Sequence, residues 1–304
     1  MSPNQANHKG RQWLRFAIGI SLLNISLLTR CRPAQNTTPA FSPGDTRIRS
    51  ADGKEMVYVP VGKFLMGSAD TDKRADDDEK PQHPVYLDDY WIDKTEVTNA
   101  QYRRCVEAGV CQAPRVMEEH YWEEPSTYGD LSMAEHPVVH VNWNDARTYC
   151  EWAGVRLPTE AEWEKAARGT DGRVYPWGST WDDRRLNFCD KRCVYSDPSV
   201  EADDGYHRTA PVGNHPTDAS PYGVLDMAGN ACEWVADWYD AEYYNRSPAR
   251  NPRGPDSGEY HVLRGGSWHG NARNTRTTNR HYGYPPSTYY DVGFRCASSS
   301  LRSK

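Results

Sequence analysis

Helical signals in this 304-residue chain stop at Gly169, and that constrains its fold more than any other feature. A chain whose second part carries no helical periodicity must close its core with short strands and long loops. Before that point three helices are readable. The first covers Asn99 to Ala108 and is stopped by Gly109; the second runs from Asn144 to Ala153, with Ala146, Tyr149, Cys150 and Ala153 on one face and Gly154 as its stop. The third has the clearest start, because Thr159-Glu160-Ala161-Glu162 forms a capping box and Gly169 follows Arg168. Upstream, MVYVPVGKFLMGS from Met56 to Ser68 reads as two short strands around a turn. Trp (11) and Tyr (19) far outnumber Phe (5), so amphipathic aromatics supply much of the buried area. No repeat and no linker divides residues 51–298, which predicts one loop-rich α+β domain.

The N-terminus carries Lys9, Arg11 and Arg15 ahead of FAIGISLLNISLL, Phe16 to Leu28. These 13 apolar-rich residues suit the core of a signal peptide and fall short of the ~20 that cross a bilayer comfortably. Residues 1–31 are therefore read as a signal peptide, 32–50, rich in Pro, Thr, Ser and Asn, as a tether, and 299–304 as a tail. Leu28-Thr29-Arg30-Cys31 resembles a bacterial lipoprotein processing site with Cys31 as the lipidated residue, although Arg30 replaces the usual small residue. The expectation is export to the periplasm or cell envelope, with membrane contact only through a lipid on Cys31 or an uncleaved signal anchor. Export makes the other seven cysteines disulfide candidates. Cys105 with Cys111, and Cys189 with Cys193, are close enough to pair locally, leaving Cys150, Cys232 and Cys296 with at least one free thiol among them.

A formal charge of −6 without a basic run beyond the N-terminus excludes a nucleic-acid binder. Phosphate-binding loops, dinucleotide fingerprints and H-E-x-x-H are absent. Gly265-Gly266-Ser267-Trp268-His269 misses the nucleophile elbow of serine hydrolases at its last glycine. His136 and His140 have metal-like spacing, but Pro137, Val138 and Val139 between them point to a strand with structural histidines. The acidic run at 75–80, ADDDEK, reads as a solvated loop. In DMAGNACEW, Asp226, Asn230 and Glu233 surround a glycine that exposes carbonyls, a half-site toward the ~6–8 oxygens that Ca²⁺ takes; the residues alone favour a polar turn capped by the same side chains.

The segments MVYVPVGKFLMGS, EVTNAQY, RLPTEAEWEKAARG, YPWG, DMAGNACEW, RGGSW and DVGFRCA resemble, in order, those of the formylglycine-generating enzyme family, also called sulfatase-modifying factors. The resemblance covers residues 51–298 and implies a loop-rich C-type-lectin-like fold. It further implies two structural calcium sites, one from Asn187, the Phe188 carbonyl, Asp204 and the Tyr206 carbonyl, the other from Asp226, the Gly229 and Ala231 carbonyls, and Glu233. It also implies a Cys150–Cys296 disulfide, worth ~4 kcal/mol by chain entropy.

Active members of that family hold copper with two cysteines in the loop after Gly-Gly-Ser, where soft thiolates select Cu(I). Here no cysteine lies between Ser267 and Asp291, so the resemblance implies the scaffold without the oxidase. Ser267 and Trp268 match the motif, Arg276 and Arg280 match its R-x-x-x-R tail, and with His269, Asn271, Arg273 and Tyr282 they are the cleft candidates; holding the loop is the alternative role for the two arginines. Two functions remain: a surface module that binds a peptide, protein or glycan, or a metal-dependent oxidoreductase with altered chemistry, as in siderophore-maturation relatives. The latter needs iron or copper on His261, His269 and His281 with a carboxylate such as Asp256 or Glu259.

Overall fold

The computed structural model describes residues 41–115, 126–193 and 201–299 of the chain. The signal segment and Cys31 lie outside the described residues. The three helices are α1 (Asn99–Glu107), α2 (Trp143–Trp152) and α3 (Glu160–Arg168). Each opens on a reciprocal capping box, Thr98 with Gln101, Asn142 with Asp145 and Thr159 with Glu162. Each box satisfies two otherwise orphaned donors in the first turn. Gly169 ends α3 in the left-handed region, φ 67°, where a side chain would meet Pro221 at 2.7 Å.

Ten short strands in three sheets surround these helices among the described residues. The first sheet has the order β1 (Thr46–Ile48), β2 (Glu55–Val59), β5 (Tyr90–Asp93), β10 (Ala297–Ser299), all antiparallel. The second pairs β3 (Gly62–Met66) with β4 (His83–Leu87). The third has the order β8 (His281–Gly283), β7 (His261–Arg264), β6 (Cys232–Trp238), β9 (Val292–Phe294), with β6 and β9 parallel and the other pairs antiparallel. The turn expected inside MVYVPVGKFLMGS is present, but the strands it joins belong to different sheets. Lys165 of α3 holds that turn, its ammonium donating to the carbonyls of Pro60 at 2.6 Å and Gly62 at 3.2 Å.

All nine residues of α3 are buried, charged ones included. Trp163 and Ala166 pack with Val59, Met66, Val85 and Val235 in the main core, while Glu160 and Glu164 answer Arg280 and Arg264 from outside the helix and Arg168 pairs with Glu164 within it. A second core joins α1 and α2 to the third sheet through Tyr102, Tyr149, Trp234 and Phe294. The Cys150–Cys296 disulfide crosses it, with Cα atoms 5.7 Å apart. Cys105–Cys111 and Cys189–Cys193 also form, and Cys232 is free.

Two sequence expectations need correction. The fold begins before Ala51, because β1 pairs with β2, Phe41 packs on Trp91 at 5.0 Å, and Arg49 is buried against Asp52 and Asp93. All three residues of β1 are exposed, so an edge strand of polar composition passes for a tether. The run at 75–80 is not a solvated loop throughout: Asp77–Glu79 form a 3-10 turn, and Glu79 is fully buried.

Candidate functional site

β7 delivers Arg264 to a turn built on Gly265 (φ 95°) and Gly266 (φ 68°). At Gly266 a Cβ would stand 2.8 Å from the Asn274 carbonyl oxygen, so the chain can fold back there only on glycine. The turn carries Ser267 over the start of β9, where its hydroxyl donates to Asp291 Oδ2 at 2.7 Å. Two backbone bonds pin the loop, Trp268 N–H to the Asn230 carbonyl and Cys189 N–H to the Gly270 carbonyl, both 2.9 Å.

Beneath this loop lies a cavity of about 350 Å³ whose walls include Cys232, Ser267, His269, His281, Tyr289 and Asp291. Burial raises the Asp291 carboxyl, opposed by the Ser267 bond and by His269 and His281. Burial lowers His281, whose Nε2 meets the Asn274 amide at 3.3 Å. The Cys232 thiol donates to the Arg264 carbonyl at 3.3 Å, and burial, then Asp291, hold it protonated. A wider groove of about 760 Å³ lies elsewhere, beside Trp143, Arg156 and Arg250, but Arg156 is paired with Glu162 and Arg250 with Asp88. The smaller cavity gathers the titratable groups and is the better candidate site.

Of the cleft candidates, Ser267, His269 and Tyr282 line the cavity. Trp268 is buried behind it, and Asn271 and Arg273 are exposed on the loop, Arg273 reaching the Arg74 carbonyl at 3.0 Å. Arg276 and Arg280 do not face the cleft. Arg276 forks onto Glu79 with two bonds of 2.6 Å, and Arg280 onto Glu160 at 2.7 and 3.1 Å. Arg264 likewise reaches Glu164 at 2.6 Å. These planar forks hold the back of a loop that has little secondary structure of its own.

The histidine set for iron does not assemble. His261 is clamped between Trp143 and Trp238, ring centroids 3.8 and 3.7 Å away, with Nδ1 bonded to the Asp237 carbonyl at 3.0 Å, and burial pushes it down to about 4. Neither it nor Asp256 nor Glu259 lines the cavity. Among the described residues no three His, Cys, Asp or Glu side chains converge closely enough to hold a metal ion. His136, bonded to Thr209 Oγ1 at 3.2 Å, and His140 are both buried.

The first calcium set fits a hard cation. Asn187 Oδ1 is buried without a hydrogen-bond partner, and Asp204 is held up at about 7 by burial and by the neighbouring Asp190. A buried oxygen without a donor, and a carboxylate whose charge burial opposes, are each relieved by a bound cation. The second set does not fit as expected, because Glu233 already accepts from Trp163 Nε1 at 2.8 Å and from Arg295 at 2.6 and 2.7 Å. The oxygens left unpaired beside Asp226 belong to Glu96 and Asp218.

Asp291 was missed in the sequence because nothing local marks it; it reaches Ser267 only through the parallel pairing of β6 with β9. Cys232 carried a readable signal: strand alternation sets it opposite Glu233, which faces α3, and so toward the cleft.

Comparison with known proteins places this geometry. The chain is 37% identical over 288 residues to a formylglycine-generating enzyme of Thermomonospora curvata, covering 82% of this chain and 94% of that protein. It is 35% identical over 297 residues to the inactive C-alpha-formylglycine-generating enzyme 2 of Mus musculus, covering 85% and 90%. Among solved structures it is similar to PvdO from Pseudomonas aeruginosa, with a TM-score of 0.70, 28% identity and coverage of 86% and 100%. Treponema denticola variable protein 1 shares the fold at 24% identity and a TM-score of 0.64, covering 84% of this chain and 99% of its own. Residues 43–300 match the family described as sulfatase-modifying factor enzyme 1-like domain, and the chain belongs to that family.

Proposed function

We propose that this is an exported ligand-binding module of the sulfatase-modifying factor fold, stabilised by calcium, which takes a peptide or glycan segment into the cleft under Ser267 and does not carry out the copper oxidase reaction. One observation carries the reading. A two-thiolate copper site needs two free cysteines at the cleft, and among the described residues Cys232 is the one that is free. That thiol sits on the cavity wall, is held protonated by burial, and has no second sulfur to share a metal with. The relatives are consistent with either outcome, since one is named as a formylglycine-generating enzyme and another as an inactive one.

In the calcium site, Asn187, the Phe188 carbonyl, Asp204 and the Tyr206 carbonyl would hold the ion. The ion would supply a fixed positive charge that lets Asp204 ionise. The site lies next to the cleft in the chain, because Cys189, one residue after Phe188, donates to the Gly270 carbonyl. Ligand binding therefore depends on the shape that this loop holds.

The test is direct. Purified protein supplied with Cu(I), oxygen and a sulfatase-type cysteine peptide is expected to leave the thiol intact, read by mass spectrometry; appearance of the aldehyde overturns the proposal. Elemental analysis of the protein prepared without added metals is expected to find calcium, about one or more per chain. Stoichiometric iron or copper would favour the oxidoreductase reading instead.

A further inference from the structure

We propose that the cavity behind the Gly265-Gly266 turn recognises a primary ammonium group, such as the end of a lysine side chain. The inference deepens the ligand-binding reading and rests on it. Asp291 is the one carboxylate in the cavity wall, and neither lysine nor arginine lines it. The nearby arginines of the loop are committed elsewhere, Arg264 to Glu164, Arg276 to Glu79 and Arg280 to Glu160. The carboxylate therefore meets the cavity with no lysine or arginine beside it, bonded by the Ser267 hydroxyl and with the His269 and His281 rings near it.

The remaining groups favour a cation as well. His281 meets the Asn274 amide through Nε2 at 3.3 Å, and burial lowers both it and His140 below the ordinary imidazole value. Cys232 presents an uncharged thiol. Tyr282 and Tyr289 add aromatic rings to the wall, and Tyr282, 53% exposed, continues outward in a stack with Tyr239 at 4.4 Å and Tyr260 at 5.1 Å. A carboxylate with aromatic faces and no lysine or arginine opposite attracts an ammonium both by charge and by ring quadrupole. An anion would be repelled by Asp291, and an apolar group would cover the carboxylate with the Ser267 bond as its one named side-chain donor. An ammonium brings three donors to Asp291 and its neighbours.

The experiment follows the imidazole NMR resonances of His269 and His281 in the full chain. It is titrated with N-acetyl-lysine methylamide, with N-acetyl-norleucine methylamide, which keeps the four-carbon chain and lacks the ammonium, and with free butylamine. The lysine compound is expected to shift both resonances saturably, with affinity falling roughly tenfold or more in Asp291→Asn. Butylamine binding as tightly as the lysine compound assigns recognition to a small free amine; weaker binding assigns it to a lysine within a peptide, and either keeps the ammonium. Equal response to norleucine, or none to either amine, overturns the inference. Should Asp291→Asn fail to fold, the wild-type pH dependence decides. Asp291 is faced by His140, His269, His281, Cys232, Tyr289 and Tyr290, so acidification neutralises the carboxylate and adds positive charge around it. Affinity must then weaken as the pH falls, and an affinity unchanged on acidification overturns the inference. Norleucine binding would leave the ligand-binding reading standing, whereas aldehyde in the copper assay would remove that reading without touching amine selectivity.

Discussion

Glu79 shows how much of this fold rests on single buried charges. Its two oxygens take both arms of Arg276 and the hydroxyls of Ser68 and Thr278. Burial alone would raise its carboxyl, but these donors override it and hold it at about 2, against an ordinary 4.5. A depressed carboxylate contributes stability that is complete above the ordinary value and lost as pH falls through the folded one. Glu79→Gln is therefore expected to cost about 3–5 kcal/mol at neutral pH, since it strands Arg276. Its loss of stability between pH 4.5 and 2 should also be shallower than the wild type's, checked by urea denaturation across that range. The sequence could not supply this pairing. Four consecutive acids at 76–79 look alike as letters, and only the 3-10 turn decides that Glu79 points inward while Asp77 stays in water. Arg276 and Arg280 were visible as a motif, yet their partners lie on segments far upstream, and their role followed from packing.

The helices were the most legible elements, because each is bounded by local chemistry: a capping box at the start and a glycine at or just beyond the end. Strands were harder. β1 and β8 are three residues each, too short for alternation to register, and β9 pairs in parallel with a strand distant in sequence. The disulfides separate by the same logic of distance. Cys150–Cys296 closes a separation of 146 residues, so the double alanine variant is expected to lose about 4–5 kcal/mol in chemical denaturation. Cys189–Cys193 closes a separation of four, and removing it should cost markedly less global stability. Equal losses would show that native contacts, not chain entropy, set the contribution. Thr159→Ala, which removes the α3 cap, should cost about 1 kcal/mol, with a larger loss pointing to the burial of that whole helix.

For the whole molecule, calcium is the variable to control. Glu233 is a poor probe of it, because any substitution there also strands Arg295 and Trp163. Asp204→Asn is cleaner. Chelation is expected to lower the wild-type melting temperature by several degrees and to leave that of Asp204→Asn nearly unchanged, read by calorimetry with and without chelator. Equal melting of the wild type in both conditions would remove calcium from the account. The general fold was accessible from ordered motifs, whereas the cavity was not, since Cys232, Asp291 and His281 meet only once the four strands β8, β7, β6 and β9 have been placed side by side.

The three arginines that clamp the loop from behind have a final consequence. Arg264, Arg276 and Arg280 face inward, while His269, Asn271 and Arg273 stand on the open side, the last two exposed to solvent. Anchoring and recognition are thus divided between opposite faces of one segment. Sequence change on the outer face leaves the arginine clamp of the inner face untouched. A library randomised at positions 269, 271 and 273 should return mostly folded proteins that differ in what they hold.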